Sequence, residues 1–587
     1  MRIWISTLLL LAVFRAHAQF SLQINLDTGK EMPAYPSKFK DSISIIRFLT
    51  EKKLQWIGQG FAEASVDSLS FEKKKATATL HKGRKYHLTV VNLEAIPLAL
   101  RPRKKHYSPD KTVPFSPFQL SQYLAGILDQ ATENGYPVAR VHLDSTSIHH
   151  DTLFTKIILS KGPFIRYGHL ETHGKIDMKS VFLQNYLQLN DGQPFNLHHV
   201  QEIPKKMADL DFVQLAGSPH IQIRGDEAII GLPLKEKKAN QFNFLIGVLP
   251  NNNETKKLLL VGNALVDFKN LLGFGERLYL KFDQTRPQTQ QLALKTNWPY
   301  PFDLPGGLDA SFDLYKRDSS YININGQIAA RYYLNGQDYL KVFWHSIRSN
   351  LLSINTNQLI TSKQLPANLD FHSNVFGLEY GIEKLDYRLN PRKGWSLRTK
   401  VGAGILRHPP NPKIIEIKIP NAPEFSFQAL YDSIGQKSWE LRSEIQVNAY
   451  FPLFKNSVIA LANKSAWLYS PATIAQNQLF RIGGNQLMRG FDEESIFAAF
   501  YNVSSLEYRL LVGSTSYLYT FGDYGFVQYP SSQNNQFIDT GLFGFGAGMS
   551  FQTNAGLFRI SYALGKQDSR PLDTRSAKIH LGFQSVF

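Results

Sequence analysis

The sequence predicts a multidomain protein, with about three small α+β domains followed by a 16-stranded antiparallel transmembrane β-barrel. Three observations carry this. From about residue 37 to 224, helical and strand-like patterns alternate in three similar rounds. From about 241 onward, apolar and polar residues alternate throughout, broken by turns rich in Gly, Asn, Asp and Pro. Beyond residue 18, no apolar stretch reaches the roughly 18 residues that a membrane-spanning helix needs.

A chain of 587 residues, 43% hydrophobic and 19% charged, can bury several cores and is not of disordered composition. The net charge of +17 suits anionic lipid headgroups or acidic partners. Lys and Arg are spread along the chain without a binding motif, so nucleic acid is not an expected partner. The absence of Cys excludes disulfides, thiolate zinc sites and lipid attachment through cysteine.

Residues 1–18 read as a secretory signal. Arg2 is followed by an apolar run over 3–14 and a small-x-small site at Ala16-His17-Ala18, with Arg15 the one departure from the pattern. The first α+β domain is expected at 19–100. Ile43, Ile45, Ile46, Leu49 and Leu54 form a helical apolar face there, and alternating runs follow at 77–80 and 86–91 around Gly83. The proline-rich, basic stretch 101–117 reads as a linker. The second domain, 118–172, is expected to begin with a helix over 117–134 carrying Leu120, Leu124, Ile127 and Leu128 and ended by Gly135. Strands follow around Val141, 154–159 and 164–170. The third, 173–238, has helices at 178–189 and 197–210, then strands at 220–223 and 228–234.

The barrel is expected over 239–587, with strands beginning near 241, 257, 275, 288, 307, 320, 338, 373, 394, 438, 456, 500, 516, 540, 556 and 576. Most are long enough to cross a bilayer at the usual tilt, and only closure satisfies every backbone group in lipid. In the last segment Ile579, Leu581, Phe583 and Phe587 share one face, while Lys578, His580, Gly582 and Gln584 share the other. Ser585 interrupts the apolar face.

Between two such strands stands the stretch 480–491, Phe-Arg-Ile-Gly-Gly-Asn-Gln-Leu-Met-Arg-Gly-Phe. Gly483 and Gly484 free the backbone for a reversal. Arg489, followed by Gly490 and Phe491, carries a permanent charge that needs a carboxylate if buried. Two carboxylates follow, Glu507 in Ser-Leu-Glu-Tyr-Arg and Asp523 in Phe-Gly-Asp-Tyr-Gly. Alternation with Leu506, Tyr508 and Leu510 points Glu507 to the lumen. Asp523 shares its parity with Tyr519 and Phe521, so its side stays open, with a bulge as one alternative.

These residues in this order, behind three α+β rounds, resemble the BamA/TamA-like superfamily of outer-membrane assembly and translocation barrels. The resemblance implies that the Arg489-Gly490-Phe491 tip folds back into the lumen and pairs with Glu507 and Asp523. It also implies that the three rounds are POTRA domains in the periplasm, and that Gly582 and Phe587 belong to a C-terminal barrel signal. The Asn390-Pro391 to Gly394 turn is similar to a periplasmic turn of the family, and the long 408–437 loop is expected outside the cell. The implied partners are outer-membrane lipid, unfolded client polypeptides, periplasmic chaperones and accessory lipoproteins. The implied activity is insertion, assembly or translocation of clients at the bacterial outer membrane. A dedicated secretion pore of the two-partner type and a passive diffusion channel are the alternatives, and a barrel esterase is a third.

No nucleophile elbow, zinc-protease helix, phosphate loop or dinucleotide fingerprint is present in the sequence. His198, His199 and Glu202 have helical spacing but no third ligand in view, and His149-His150-Asp151 reads as a hydrated turn. No catalytic residue, metal or cofactor is therefore expected.

Overall fold

The computed structural model describes residues 20–26, 35–86, 88–93, 95–102, 112–115, 117–150, 152–249, 259–286, 289–335, 338–386, 390–419, 422–435, 437–485, 487–513, 516–530, 537–553, 556–568, 572, 575 and 577–584. The expected signal at 1–18 and the terminal Phe587 lie outside these residues.

The first sheet has the order β2-β1-β4-β3, built from β1 (Phe20–Leu26), β2 (Lys38–Phe39), β3 (Ser65–Glu72) and β4 (Lys75–His81), with α1 (Ser42–Gly58) against it. The Asp41 carboxylate caps α1, accepting from the Ser44 N–H at 2.7 Å. Ile45, Leu49 and Trp56 share one face of the helix and join Leu22, Ile24, Ala76, Ala78 and Leu80 in one core.

The second sheet, β6-β5-β8-β7, gathers β5 (Leu88–Asn92), β6 (Thr112–Phe115), β7 (Arg140–His149) and β8 (Thr152–Ser160), with α2 (Pro117–Glu133) preceding β7. Two sequence expectations are corrected here. β5, read as the end of the first domain, runs parallel to β8, Val90 opposite Phe154. Thr112–Phe115, read as linker, pairs with β5. β6 is an edge strand, where Pro114 can sit without breaking an interior ladder. Neither pairing is visible locally, because the partners lie far apart in sequence.

A third group comprises β9 (Arg166–His173), α3 (Ser180–Leu187), α4 (Leu197–Ala208), β10 (Val213–Leu215), β11 (His220–Arg224) and β12 (Glu227–Glu236), with β12 pairing β9, β10 and β11.

The remainder is a single 16-stranded antiparallel sheet. Its strands are β13 (Gln241–Leu249), β14 (Leu259–Lys269), β15 (Arg277–Arg286), β16 (Thr289–Pro299), β17 (Gly306–Arg317), β18 (Tyr321–Asn335), β19 (Asp338–Leu351), β20 (Phe371–Leu385), β21 (Gly394–Arg407), β22 (Lys437–Phe454) and β23 (Ser457–Tyr469). A two-stranded hairpin, β24 (Phe480–Ile482) and β25 (Ile496–Ala498), intervenes. The ladder then continues through β26 (Phe500–Leu511), β27 (Tyr517–Pro530), β28 (Phe537–Thr553), β29 (Gly556–Gln567) and β30 (Lys578–Gln584). Every strand begins within three residues of the sequence expectation, the largest offset being β28, expected at 540 and observed at Phe537. Exposure alternates as the pattern requires. Val342, Trp344, Phe376 and Leu378 are exposed on one face, while Lys341, Phe343, Val375 and Glu379 are buried on the other.

Candidate functional site

The connection from β23 to β26 turns back onto the inner face of the sheet. Its hairpin pairs Phe480 with Ala498 and Ile482 with Ile496, and a bridge joins Gly484 to Met488. Gly483, Gly484 and Gly490 take φ of +113°, +91° and +88°, a region that side chains disfavour. Ile482, Met488 and Ala498 bury themselves against Val503, Val527 and Leu542 of the wall, with Phe491 packed beside them. Burial of these apolar residues places Arg489, only 7% exposed, next to the wall.

The guanidinium is held on several sides. Nε donates to Asp523 Oδ2 at 2.7 Å and Nη2 to Asp523 Oδ1 at 2.5 Å, a bidentate fork. Nη1 donates to Glu507 Oε1 at 2.6 Å, and Nη2 also reaches Ser505 Oγ at 2.7 Å. The Arg489 backbone N–H donates to Asp523 Oδ2 at 3.2 Å. The guanidinium carbon lies 3.6 Å from the centroid of the Phe521 ring. Glu507 turns its other oxygen to Arg509, whose Nε and Nη2 donate at 2.8 and 2.7 Å. Its charge is thus shared between two arginines.

The geometry decides the open question of Asp523. β27 pairs with β26 and β28 in unbroken register, and Tyr517, Tyr519, Phe521, Asp523 and Val527 are all buried. The aromatics share the inner face with the carboxylate, and Phe521 lies under the cation that Asp523 binds.

Residues the sequence reading passed over complete the seat. Ser505 donates to Asp523 Oδ1 at 2.6 Å. A β-carbon on Gly490 would overlap the Leu564 carbonyl, and one on Gly565 would overlap the Gly490 carbonyl. The Gly490 N–H donates to His580 Nε2 at 3.4 Å, and Lys578 Nζ lies 2.8 Å from Asp492 Oδ1. Arg481, in the same stretch as Arg489, lies 3.5 Å from the Tyr315 ring and 3.4 Å from Glu494. Its place inside the glycine-rich stretch was the available signal.

At the opposite end of this connection Asn477 is buried against β19 and the segment that leads into β20. Its Nδ2 donates to Ser349 Oγ at 2.7 Å and to the Leu369 carbonyl at 2.8 Å, and its Oδ1 accepts from the Leu369 N–H at 3.1 Å. Three loops meet here over their own apolar core. α5 (Thr356–Ser362) supplies Leu359, α6 (Pro412–Ile415) supplies Ile414, and α7 (Phe427–Ser433) supplies Phe427 and Tyr431, joined by Leu369, Ile419 and Ala475. The described residues of the 408–437 loop therefore pack with two neighbouring loops over one buried core.

Gly582 sits in β30 opposite Arg559. At the start of α4 the His198 and His199 N–H groups donate to the Asn196 side chain at 2.9 and 3.4 Å, a helix-capping arrangement.

Residues 270–584, more than half of the chain, match the profile of the Omp85 superfamily domain. The chain belongs to the Omp85 superfamily. Members of this superfamily are outer-membrane β-barrel proteins with periplasmic POTRA domains. A search of curated proteins finds no match. Among solved structures, CdiB from Acinetobacter baumannii is similar at 15% identity and a TM-score of 0.50, over 97% of this chain and 90% of that one. CdiB from Escherichia coli is similar at 14% identity and a TM-score of 0.50, over 93% and 97%. BamA from Haemophilus ducreyi lacking POTRA domains 1-3 aligns at 15% identity and a TM-score of 0.45, over 82% and 96%. For the two CdiB proteins, at these identities, the likeness is one of fold.

Proposed function

We propose that this Omp85 protein inserts, assembles or translocates client polypeptides at the bacterial outer membrane, with its three N-terminal α+β groups acting as periplasmic POTRA domains. Client strands add to the open edges of those small sheets and then to the seam between β13 and β30, each new backbone hydrogen bond replacing one to water. Chaperones that deliver unfolded clients and accessory lipoproteins on the POTRA domains belong to the same proposal. The observation that supports it most is the Arg489 fork on Asp523 and Glu507, which ties a long loop to two adjacent wall strands and holds the lumen in shape.

The packing of these three loops over one buried core supports this reading over a passive channel, which works through an open lumen. Depletion of the protein in cells tests it. Loss of client proteins from the outer membrane is the expected result. Normal client levels, together with a steady conductance in planar bilayers, would contradict it.

A further inference from the structure

The apolar outer face of the sheet does not end where the strands end. On β15–β17, Leu278, Leu280, Leu294, Leu308 and Phe312 are exposed in the outward alternation, and Trp298 closes β16. An interfacial tryptophan ordinarily marks the edge of the hydrocarbon. Here the exposed apolar surface runs past it into two turns. Leu271 and Leu272 of the β14–β15 turn are 56% and 63% exposed, and Phe302 and Leu304 of the β16–β17 turn are 83% and 57% exposed. The rings of Phe274, Trp298 and Phe302 form a row, at centroid separations of 6.2 and 6.1 Å, that links the two turns.

Part of the backbone of both turns is paired internally. Glu276 accepts from the Leu272 and Phe274 N–H groups at 2.6 and 3.0 Å, and Asn270 Oδ1 accepts from the Gly275 N–H at 2.9 Å. In the second turn Pro299, Pro301 and Pro305 have no N–H to satisfy, and the Tyr300, Leu304 and Gly306 donors are paired within the turn. Such pairing lowers the cost of bringing a backbone towards lipid, whereas a turn in water has no such need. Tyr300, Phe302 and Asp303 also hold φ of +49°, +56° and +59°, strained for residues with side chains. That conformation buries Tyr300 against Phe182 and Tyr333 while it turns Phe302 outward. The Lys179 N–H donates to the Gly273 carbonyl at 2.8 Å, so these turns lie at the end of the sheet where the N-terminal chain joins it.

We propose that the β14–β15 and β16–β17 turns form a membrane-inserted foot, whose Leu271, Leu272, Phe302 and Leu304 enter the periplasmic phospholipid leaflet. Exposed Asp303 sets the depth at the headgroup–acyl boundary, where an apolar face can enter lipid while a charge stays hydrated. The inference rests on the sheet being an outer-membrane barrel. It adds that the barrel grips the leaflet beyond its strand ends, beside the seat of Phe182.

The chain has no cysteine, so single-cysteine variants label at one place. L272C, F302C, L378C on the outward face of β20, and K393C in the β20–β21 turn each receive an environment-sensitive nitrobenzoxadiazole probe. Folding is checked by mobility in unboiled gels, and the proteins are reconstituted in phosphatidylethanolamine–phosphatidylglycerol vesicles containing lipid nitroxide-labelled near the headgroup end of the acyl chain. Loss of fluorescence at 272 and 302 comparable to that at 378, with 393 unaffected, is the expected result. Quenching at 378 with none at 272 or 302 overturns the foot and leaves the barrel standing, as does a blue-shifted but unquenched probe at 302, which would signify a protein partner. Absence of quenching at all four positions overturns the barrel reading and the foot with it.

Discussion

Gly544 on β28 lies directly beneath the carbonyl of Arg489, and a β-carbon built on it would overlap that oxygen. The arginine is therefore seated from two directions, by carboxylates that draw in its side chain and by a glycine that lets its backbone come close. Gly544→Ala should force the loop away, at about 1 to 3 kcal/mol for overpacking a fitted contact. Gly522→Ala, one strand away with nothing within 4 Å of the added carbon, should be neutral. Protease cleavage within 484–496 and the urea midpoint in detergent separate the two variants.

Arg489→Lys keeps the charge but loses the planar fork, so it should behave closer to Arg489→Ala than to the native protein. In Arg489→Ala, Glu507 retains Arg509, whereas Asp523 keeps the Ser505 hydroxyl and loses both guanidinium bonds. Breaking a buried pair this way costs about 3 to 5 kcal/mol, reduced by whatever water enters the lumen. The double variant Arg489→Met/Asp523→Leu should recover part of the loss, which a double-mutant cycle on unfolding free energies would measure.

Asn477→Ala removes three hydrogen bonds at once and leaves the Leu369 N–H and carbonyl without their side-chain partner. A loss of about 1 to 3 kcal/mol is expected for such buried groups. Because Asn477 ties its loop to β19 and to the loop that leads into β20, the variant should show larger and more frequent conductance steps in planar bilayers. Identical conductance would separate the loop cluster from any closure of the lumen.

The first α+β domain should show an acid-dependent component of stability. Glu63 accepts from the Tyr86 hydroxyl and from the Arg84 N–H, and these bonds hold its carboxyl below its ordinary value of 4.5. A carboxyl lowered by folding stabilises the domain above that value, and the contribution disappears as pH falls through the lowered folded value. Glu63→Gln should flatten the pH dependence of the first domain's unfolding below pH 4.5, with little change at neutral pH in its slope.

Much of the fold was legible because a membrane-spanning strand writes its lipid-facing and lumen-facing residues into alternation. Leu506, Tyr508 and Leu510 against Glu507 and Arg509 is one such record, and Arg489 with two downstream carboxylates is another. The side on which Asp523 lies was not legible, because Phe521 and Tyr519 share its face to line the loop rather than to meet lipid, and burial by a loop looks like exposure to lipid in the pattern. Gly544 and Gly565 were missed for a related reason. Their meaning lies in a carbonyl brought from more than fifty residues away. The parallel pairing of β5 with β8 and the loop core of Leu359, Ile414 and Phe427 are likewise products of distant contact.

In the proposed function, polypeptides pass through or fold against this protein at the seam of its barrel. Photo-crosslinking in growing cells from Phe242 on β13 and Ile579 on β30, each replaced by a photoreactive residue, tests it most directly. The account predicts adducts with newly made outer-membrane or exported polypeptides at these two positions and none from Trp344 on the far wall. Equal labelling at all three sites, or no polypeptide adducts at either seam strand, would contradict it.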